Sequence, residues 1–195
     1  MNAKIKDLVE QISSLEKSLK EELDKEETNL SYKIKEGRVW FDSETLAIQK
    51  EALTGLFRYL KESPILYILT APVIYAVIIP AFVLDLFVTI YQHINFRVYK
   101  IPIIKRGDYI VFDRHYLAYL NMIEKINCLY CSYFNGLVAY VGEVASATEQ
   151  FWCPIKHAKK TAYRHNRYDR FIPYGDANYH SKLAKLRKEL QQSGK

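Results

Sequence analysis

The stretch SPILYILTAPVIYAVIIPAFVLDLFVTIYQHINF, residues 63–96, contains one charged residue, Asp85. Residues 63–84 carry no charge at all, and a run of that length meets the roughly 20 apolar residues a helix needs to cross a hydrocarbon core. Its composition is that of a membrane segment. As one straight helix, the 34 residues of the whole stretch would extend about 50 Å at 1.5 Å per residue, against a core of about 30 Å. Something must bend, tilt or lie flat. Pro64, Pro72 and Pro80 each lack a backbone donor and crowd the preceding turn, and Pro80 stands at the midpoint.

Two arrangements fit this pattern. One is a proline-broken helical hairpin, residues 64–79 and then 81–96, that returns to the side it entered. The other is one transmembrane helix to Leu84 followed by an interfacial helix. Lys50, Arg58 and Lys61 precede the stretch, and Arg97, Lys100, Lys105 and Arg106 follow it. Basic residues near membrane ends favour the cytoplasm, so the hairpin is the preferred expectation. Asp85 is costly at depth in either case and is expected to snorkel, pair with another group or mark function.

The flanks differ in charge. Residues 1–63 hold 11 basic and 13 acidic side chains, a net of −2, whereas residues 93–195 hold 17 and 8, a net of +9. The amino-terminal segment is charged and amphipathic, without the continuous apolar core of a secretory signal, so the chain is expected to start in the cytoplasm. Three cysteines, Cys128, Cys131 and Cys153, have the wrong parity for a disulfide framework and fit reduced thiols or metal ligands better.

The chain divides into five segments. In residues 1–30, Ile5, Leu8, Ile12, Leu15 and Leu19 recur at spacings of three and four, as in a coiled-coil seam of little more than two heptads. Residues 5–19 therefore suit a homo-oligomer or a partner helix, or an amphipathic helix lying on the protein's own body or on lipid. Residues 31–62 begin with YKIKEGRVWF, a small hairpin around Gly37. A helix capped by Asp42 or Ser43 then runs to about Glu62. Residues 63–96 are the membrane segment. Residues 97–175 form a small helical domain, expected to face the cytoplasm, that opens with a hairpin around Arg106, Gly107 and Asp108. Its helices are predicted over 113–128, over 134–151 and from Pro154, with Gly136, Ala139, Gly142 and Ala145 offering a smooth packing face. A polar, basic helix over 176–191 closes the chain, within a segment spanning residues 176–195. The fold class is mainly α.

All three cysteines and one histidine fall into two compact units, CLYC at residues 128–131 and CPIKH at residues 153–157. A CxxC turn lets two sulfurs converge, and residues four apart at a helix start share a face, so Cys128, Cys131, Cys153 and His157 make a reasonable Cys3His zinc site. Four protein ligands leave no open position, which implies a structural ion. Iron in the same sulfur-rich set would instead carry electrons, and a dithiol pair at Cys128 and Cys131 is a third possibility. The bland alternative is small apolar cysteines packed between helices. Glu124 and Glu149, one turn before Cys128 and Cys153, and His115 are candidates to orient the ligands through hydrogen bonds.

DYIVFDRHYLAYLNMIEKINCLYC, followed by TEQFWCPIKHAKK, resembles an uncharacterised family of bacterial inner-membrane proteins bearing CxxC and WCPIKH elements. The likeness covers residues 107–176 and implies a bacterial origin and a membrane setting. Beyond it, HAKKTAYRHNRYDRFIPY interleaves tyrosines with Lys159, Lys160, Arg164, Arg167 and Arg170. Anionic lipid headgroups are the better partner for these residues in a membrane-anchored chain, and nucleic acid the lesser one. No nucleotide loop or hydrolase triad is present. The sequence therefore points to a membrane-anchored scaffold or accessory protein with a structural zinc rather than an enzyme, with a membrane-bound redox or electron-transfer protein as the alternative.

Overall fold

The computed structural model describes residues 3–28, 32–35 and 37–192. The chain is mainly helical and divides into two compact units, Met1–Gly55 with His115–Asn121, and Leu56–Arg114 with Met122–Lys195.

In the first unit, helix α1 (Ala3–Thr28) is laced by pairs one turn apart, Lys17 with Glu21 at 3.8 Å and Lys25 with Glu22 at 2.6 Å. Strands β1 (Tyr32–Lys35) and β2 (Arg38–Phe41) form the expected antiparallel hairpin, from Tyr32 opposite Phe41 to Lys35 opposite Arg38. Gly37 adopts φ +75° at the turn, a left-handed conformation that a side chain resists. Helix α2 (Ser43–Glu51) is capped by Asp42, not Ser43: its carboxylate accepts from Thr45 N at 2.8 Å and Thr45 Oγ1 at 3.0 Å. The single helix expected to run on to Glu62 is broken over residues 53–55, where Gly55 weakens helix continuation. The amide of Ala118 donates to Gln49 Oε1 at 2.9 Å, and Asn121 Nδ2 to Thr54 O at 3.4 Å. These bonds tie His115–Asn121 to the unit.

In the second unit, helices α3 (Leu56–Glu62), α4 (Ile65–Ala76) and α5 (Ile78–Tyr99) follow one another. Only Val77 separates α4 from α5, and it keeps right-handed helical angles, φ −64° and ψ −17°. The chain therefore does not turn back at Pro80, which corrects the helical hairpin. The reason is position: Pro80 is the third residue of α5, inside the first turn, where the missing donor has no helical partner to lose. Residues Ile65–Tyr99 make one run of 35 residues, long and apolar enough to cross a membrane.

Helix α5 ends at Lys100 in the left-handed region, φ 58° and ψ 41°, with the amide of Ile101 donating to Phe96 O at 3.0 Å. Residues beyond it form no hairpin. Two 3₁₀ turns, Arg106–Asp108 and Arg114–Tyr116, interrupt an irregular return. Helix α6 (Met122–Trp152) then runs for 31 residues without a break. It replaces the two helices expected over 113–128 and 134–151, because nothing between Cys128 and Phe134 is a helix breaker.

Contacts between these helices fall in rising order on both partners: Tyr75 with Asn127, Asp85 with Tyr133, Gln92 with Tyr140, Tyr99 with Phe151. α4–α5 and α6 are thus parallel. A buried cluster including Ala81, Phe96, Ile101, Ile110, Leu137, Tyr140, Val144 and Leu190 holds them together. Gly136 meets the returning chain so closely that a Cβ there would stand 2.5 Å from Tyr109 O and 2.9 Å from Ile110 Cα. Of the four small residues expected to form a packing face, Ala139 and Ala145 are exposed.

The helix expected from Pro154 is absent. Residue 155 instead forms a parallel bridge with Ile172, with Lys156 N donating to Ile172 O at 2.8 Å and Ile172 N to Pro154 O at 2.7 Å. Helix α7 (Tyr179–Gln192) closes the unit. Arg187 Nε donates to Phe151 O and Gln191 Nε2 to Tyr99 O, both at 2.7 Å. One helix thereby supplies donors to carbonyls at the carboxyl ends of two others.

Three outcomes test these constraints. Gly136→Ala should lower stability by roughly 1–3 kcal/mol through overpacking against backbone, whereas Gly107→Ala, with open space around it, should not. Lys100→Gly should raise stability by about 1 kcal/mol by removing left-handed strain. Thermal unfolding of the purified variants reads both. The hydrogen bond from the Thr45 amide holds the Asp42 carboxyl below its ordinary value of 3.8. With the folded value depressed, the cap's stabilisation is present above the ordinary value and lost as pH falls through the folded one. Amide exchange in α2 should accelerate below about pH 4, and Asp42→Asn should flatten that dependence.

Candidate functional site

The polar groups of the second unit gather in layers between α5, the returning chain and α6. Asp85 and Gln92 stand seven residues apart on α5, and Tyr133 and Tyr140 stand seven apart on α6. Seven residues are close to two helical turns, so each pair presents its members on one face and the two pairs meet.

Asp85 forms the first layer. Arg106 Nη2 donates to its Oδ2 at 2.6 Å and Nε to its two oxygens at 3.0 and 3.2 Å, a fork-to-fork arrangement. Tyr133 Oη donates at 3.0 Å and Thr89 Oγ1 at 3.3 Å. The Asp85 side chain is only 9% exposed, against 41% for Arg106. The acid is surrounded by donors, and its partner reaches in from the returning chain.

Gln92, 1% exposed, forms the second layer. Its Nε2 donates to Ile104 O at 2.9 Å and is 2.8 Å from Tyr140 Oη, while its Oε1 accepts from Ile104 N at 2.9 Å. A side-chain amide here does what a neighbouring strand would do for an extended chain. Further along α6, Glu143 pairs with Arg167, whose Nη1 also donates to Ser146 Oγ at 2.8 Å. Glu149 Oε2 lies 3.0 Å from His165 Nε2, and Tyr91 Oη lies 3.1 Å from Thr148 Oγ1. Each of these acids has a cation or donor against it. The arrangement fixes helices in register.

The candidate metal ligands are not brought together. Cys128 and Cys131 lie within α6 near its start, half-buried and exposed, and Cys153 follows its last residue. Along a continuous helix that separation is roughly 37 Å. His157, exposed, donates its backbone N–H to Tyr168 Oη at 2.7 Å and stacks on that ring. Among the described residues no group of three or more His, Cys, Asp or Glu is placed to hold an ion. The four residues therefore do not fit one zinc or iron within a single chain.

Of the residues expected to orient them, Glu124 lies in the first turn of α6, and Glu149 is engaged by His165. His115 belongs to the first unit, its ring against Tyr116 at 4.0 Å and its buried Nδ1 without a hydrogen-bond partner among the described residues. The expected lipid contacts divide. Lys159, Lys160, Arg164 and Arg170 are exposed, and Arg164 also lies over the Tyr168 ring at 5.4 Å. Arg167 is drawn inward by Glu143 and is a packing residue.

Sequence reasoning missed Gln92, Tyr133, Tyr140, Glu143 paired with Arg167, and His165. One signal was available for the tyrosines. Residues 126–142, INCLYCSYFNGLVAYVG, are also free of charge, which marks α6 as a second largely apolar helix whose few polar groups must find partners. No protein family, curated protein or solved structure matches the chain.

Arg106→Gln leaves the Asp85 carboxylate short of its cation and should destabilise the second unit by about 2 kcal/mol, less than a fully buried pair because Arg106 reaches solvent. Gln92→Leu strands the Ile104 N–H and C=O and should cost roughly 1–3 kcal/mol. In a double-mutant cycle Asp85→Asn with Arg106→Gln should lose less than the sum of the single changes, whereas Asp85→Asn with Lys185→Gln should add.

Proposed function

We propose that this chain is a membrane-anchored scaffold or accessory protein, held in the bilayer by α4–α5 and stiffened by the polar layers between α5 and α6. The observation that carries the reading is exposure. Only 11% of the most apolar window of Ile65–Tyr99 is buried, and Leu69, Val73, Phe82 and Phe87 are 64% to 69% exposed. So much contiguous apolar surface belongs against lipid or another apolar partner, not against water.

Asp85 and the irregular return are compatible with that setting. A charge at depth persists when paired, and irregular backbone persists when protein groups satisfy it, as Gln92 does for Ile104. Because α4 continues into α5 without reversal, α3 and α7 lie toward opposite faces of the bilayer. Arg97 and Lys100 at the α7 end of the span, with Lys156, Lys159 and Lys160 beyond α6, outnumber Arg58 and Lys61 before it, which favours the cytoplasm for α7 and the basic segment around Lys159, Lys160, Arg164 and Arg170. There these four side chains meet anionic headgroups. The resemblance in the CxxC and WCPIKH elements supports a bacterial inner membrane as the location.

Val73→Arg and Phe82→Arg decide the anchor. Each should oppose insertion by about 2.5–3.5 kcal/mol, and the double variant should leave the carbonate-washed membrane fraction. Were these side chains a water-facing surface, the same changes would raise solubility without altering partition. For topology, single cysteines at Lys61 and Lys185, with the three native cysteines as serine, should react with an impermeant maleimide from opposite sides of sealed vesicles. Reaction from one side would restore the hairpin.

A further inference from the structure

We propose that α1 pairs with α1 of a second copy of this chain as a parallel two-stranded coiled coil, through Ile5, Leu8, Ile12, Leu15 and Leu19. The inference rests on the membrane anchor for its orientation and its strength. Along α1, Leu8, Ile12, Leu15 and Leu19 are 46%, 55%, 69% and 61% exposed. No described segment of the first unit covers them. A helix lying on its own unit would bury this stripe.

Charge separates the two remaining occupants. α1 carries five lysines and eight acidic residues, a net of −3. Helices that lie in anionic headgroups carry Lys and Arg on the polar face, so lipid is a poor partner for an acidic helix. A second α1 is a good one. With Ile5 as the first core position, the core reads Ile5, Leu8, Ile12, Leu15, Leu19. The first two heptads carry Ile at the first position and Leu at the fourth, the choice that favours two parallel strands, and Leu19 fills the next first position. The flanking positions that would face each other between copies are Lys4 with Val9, Gln11 with Glu16, and Ser18 with Leu23. None of them sets like charges together. Lys17 with Glu21 stabilises each helix from its outer side.

A seam of little more than two heptads is marginal for free helices. The anchor changes that in two ways. Copies inserted with the same orientation present α1 from the same side, which selects the parallel register. Confinement to a surface raises the effective concentration of one α1 near another. The dimer is therefore a property of the anchored protein more than of the isolated helix.

The experiment uses the full chain in liposomes, with Cys128, Cys131 and Cys153 as serine and one new cysteine. Ile12→Cys places thiols across the seam, and Lys17→Cys places them on the outer face. Under mild oxidation Ile12→Cys should give the disulfide-linked dimer at least tenfold faster than Lys17→Cys, and adding Leu15→Glu should abolish the difference. Fluorescently labelled chain with its native cysteines should bleach in two steps per particle, and in one step with Leu15→Glu. Equal crosslinking at both positions, or single-step bleaching of the unsubstituted chain, would overturn the seam. Carbonate resistance of the same liposomes is read alongside. A chain that floats free of lipid overturns the anchor, and the Ile12 crosslink then decides the seam alone. Membrane retention unchanged by Leu15→Glu shows that the substitution acts on pairing.

Discussion

Parallel packing of α4–α5 against α6 imposes the central demand on the second unit. Two helices that run the same way cannot be joined by a tight turn, so the chain must travel back along them before α6 begins. That return is irregular and lies in the apolar core through Ile101 and Ile110, where unsatisfied amides and carbonyls are expensive. Gln92, Asp85 and Gly136 resolve that demand. Gln92 satisfies both polar groups of Ile104, Asp85 draws Arg106 inward, and Gly136 lets the Tyr109 carbonyl approach the α6 backbone.

This explains why a carboxylate sits in an otherwise apolar helix. Asp85 is held by a cation from a different segment, by Tyr133 and by Thr89. The seven-residue repeat, Asp85 to Gln92 against Tyr133 to Tyr140, makes the polar layers a register device. A slip of one turn that brought Gly136 or Leu137 to the level of Asp85 would leave the acid facing no phenol. Buried polar groups of this kind cost more when misaligned than they contribute when aligned, and that asymmetry selects one alignment.

Elements whose cause is local could be read from the sequence. The hairpin of β1 and β2 follows from alternating residues around Gly37, and Asp42 announces the start of α2. The apolar run from Ile65 onward is plain from composition. Its path was misjudged, because a proline in the middle of a sequence run need not stand in the middle of a helix: Pro80 occupies a first turn. The site was less legible. CLYC and CPIKH are close in pattern but lie at opposite ends of α6, and spacing alone does not reveal that the residues between them form one rod. Gln92 and Tyr140 carry no motif at all. Their importance arises from a chain segment that approaches from elsewhere, and only the fold supplies it.

Helix α7 has a consequence for how the molecule is made. Carbonyls at the carboxyl ends of α5 and α6, Tyr99 O and Phe151 O, find donors in Gln191 and Arg187, and the Arg187 guanidinium lies over the rings of Phe151 and Trp152. These donors leave the ribosome after both helices that they close. Throughout synthesis both helices present open ends, and only a chain extending through Gln191 can close them together. The latch makes the arrival of α7 a checkpoint for the whole helical pair.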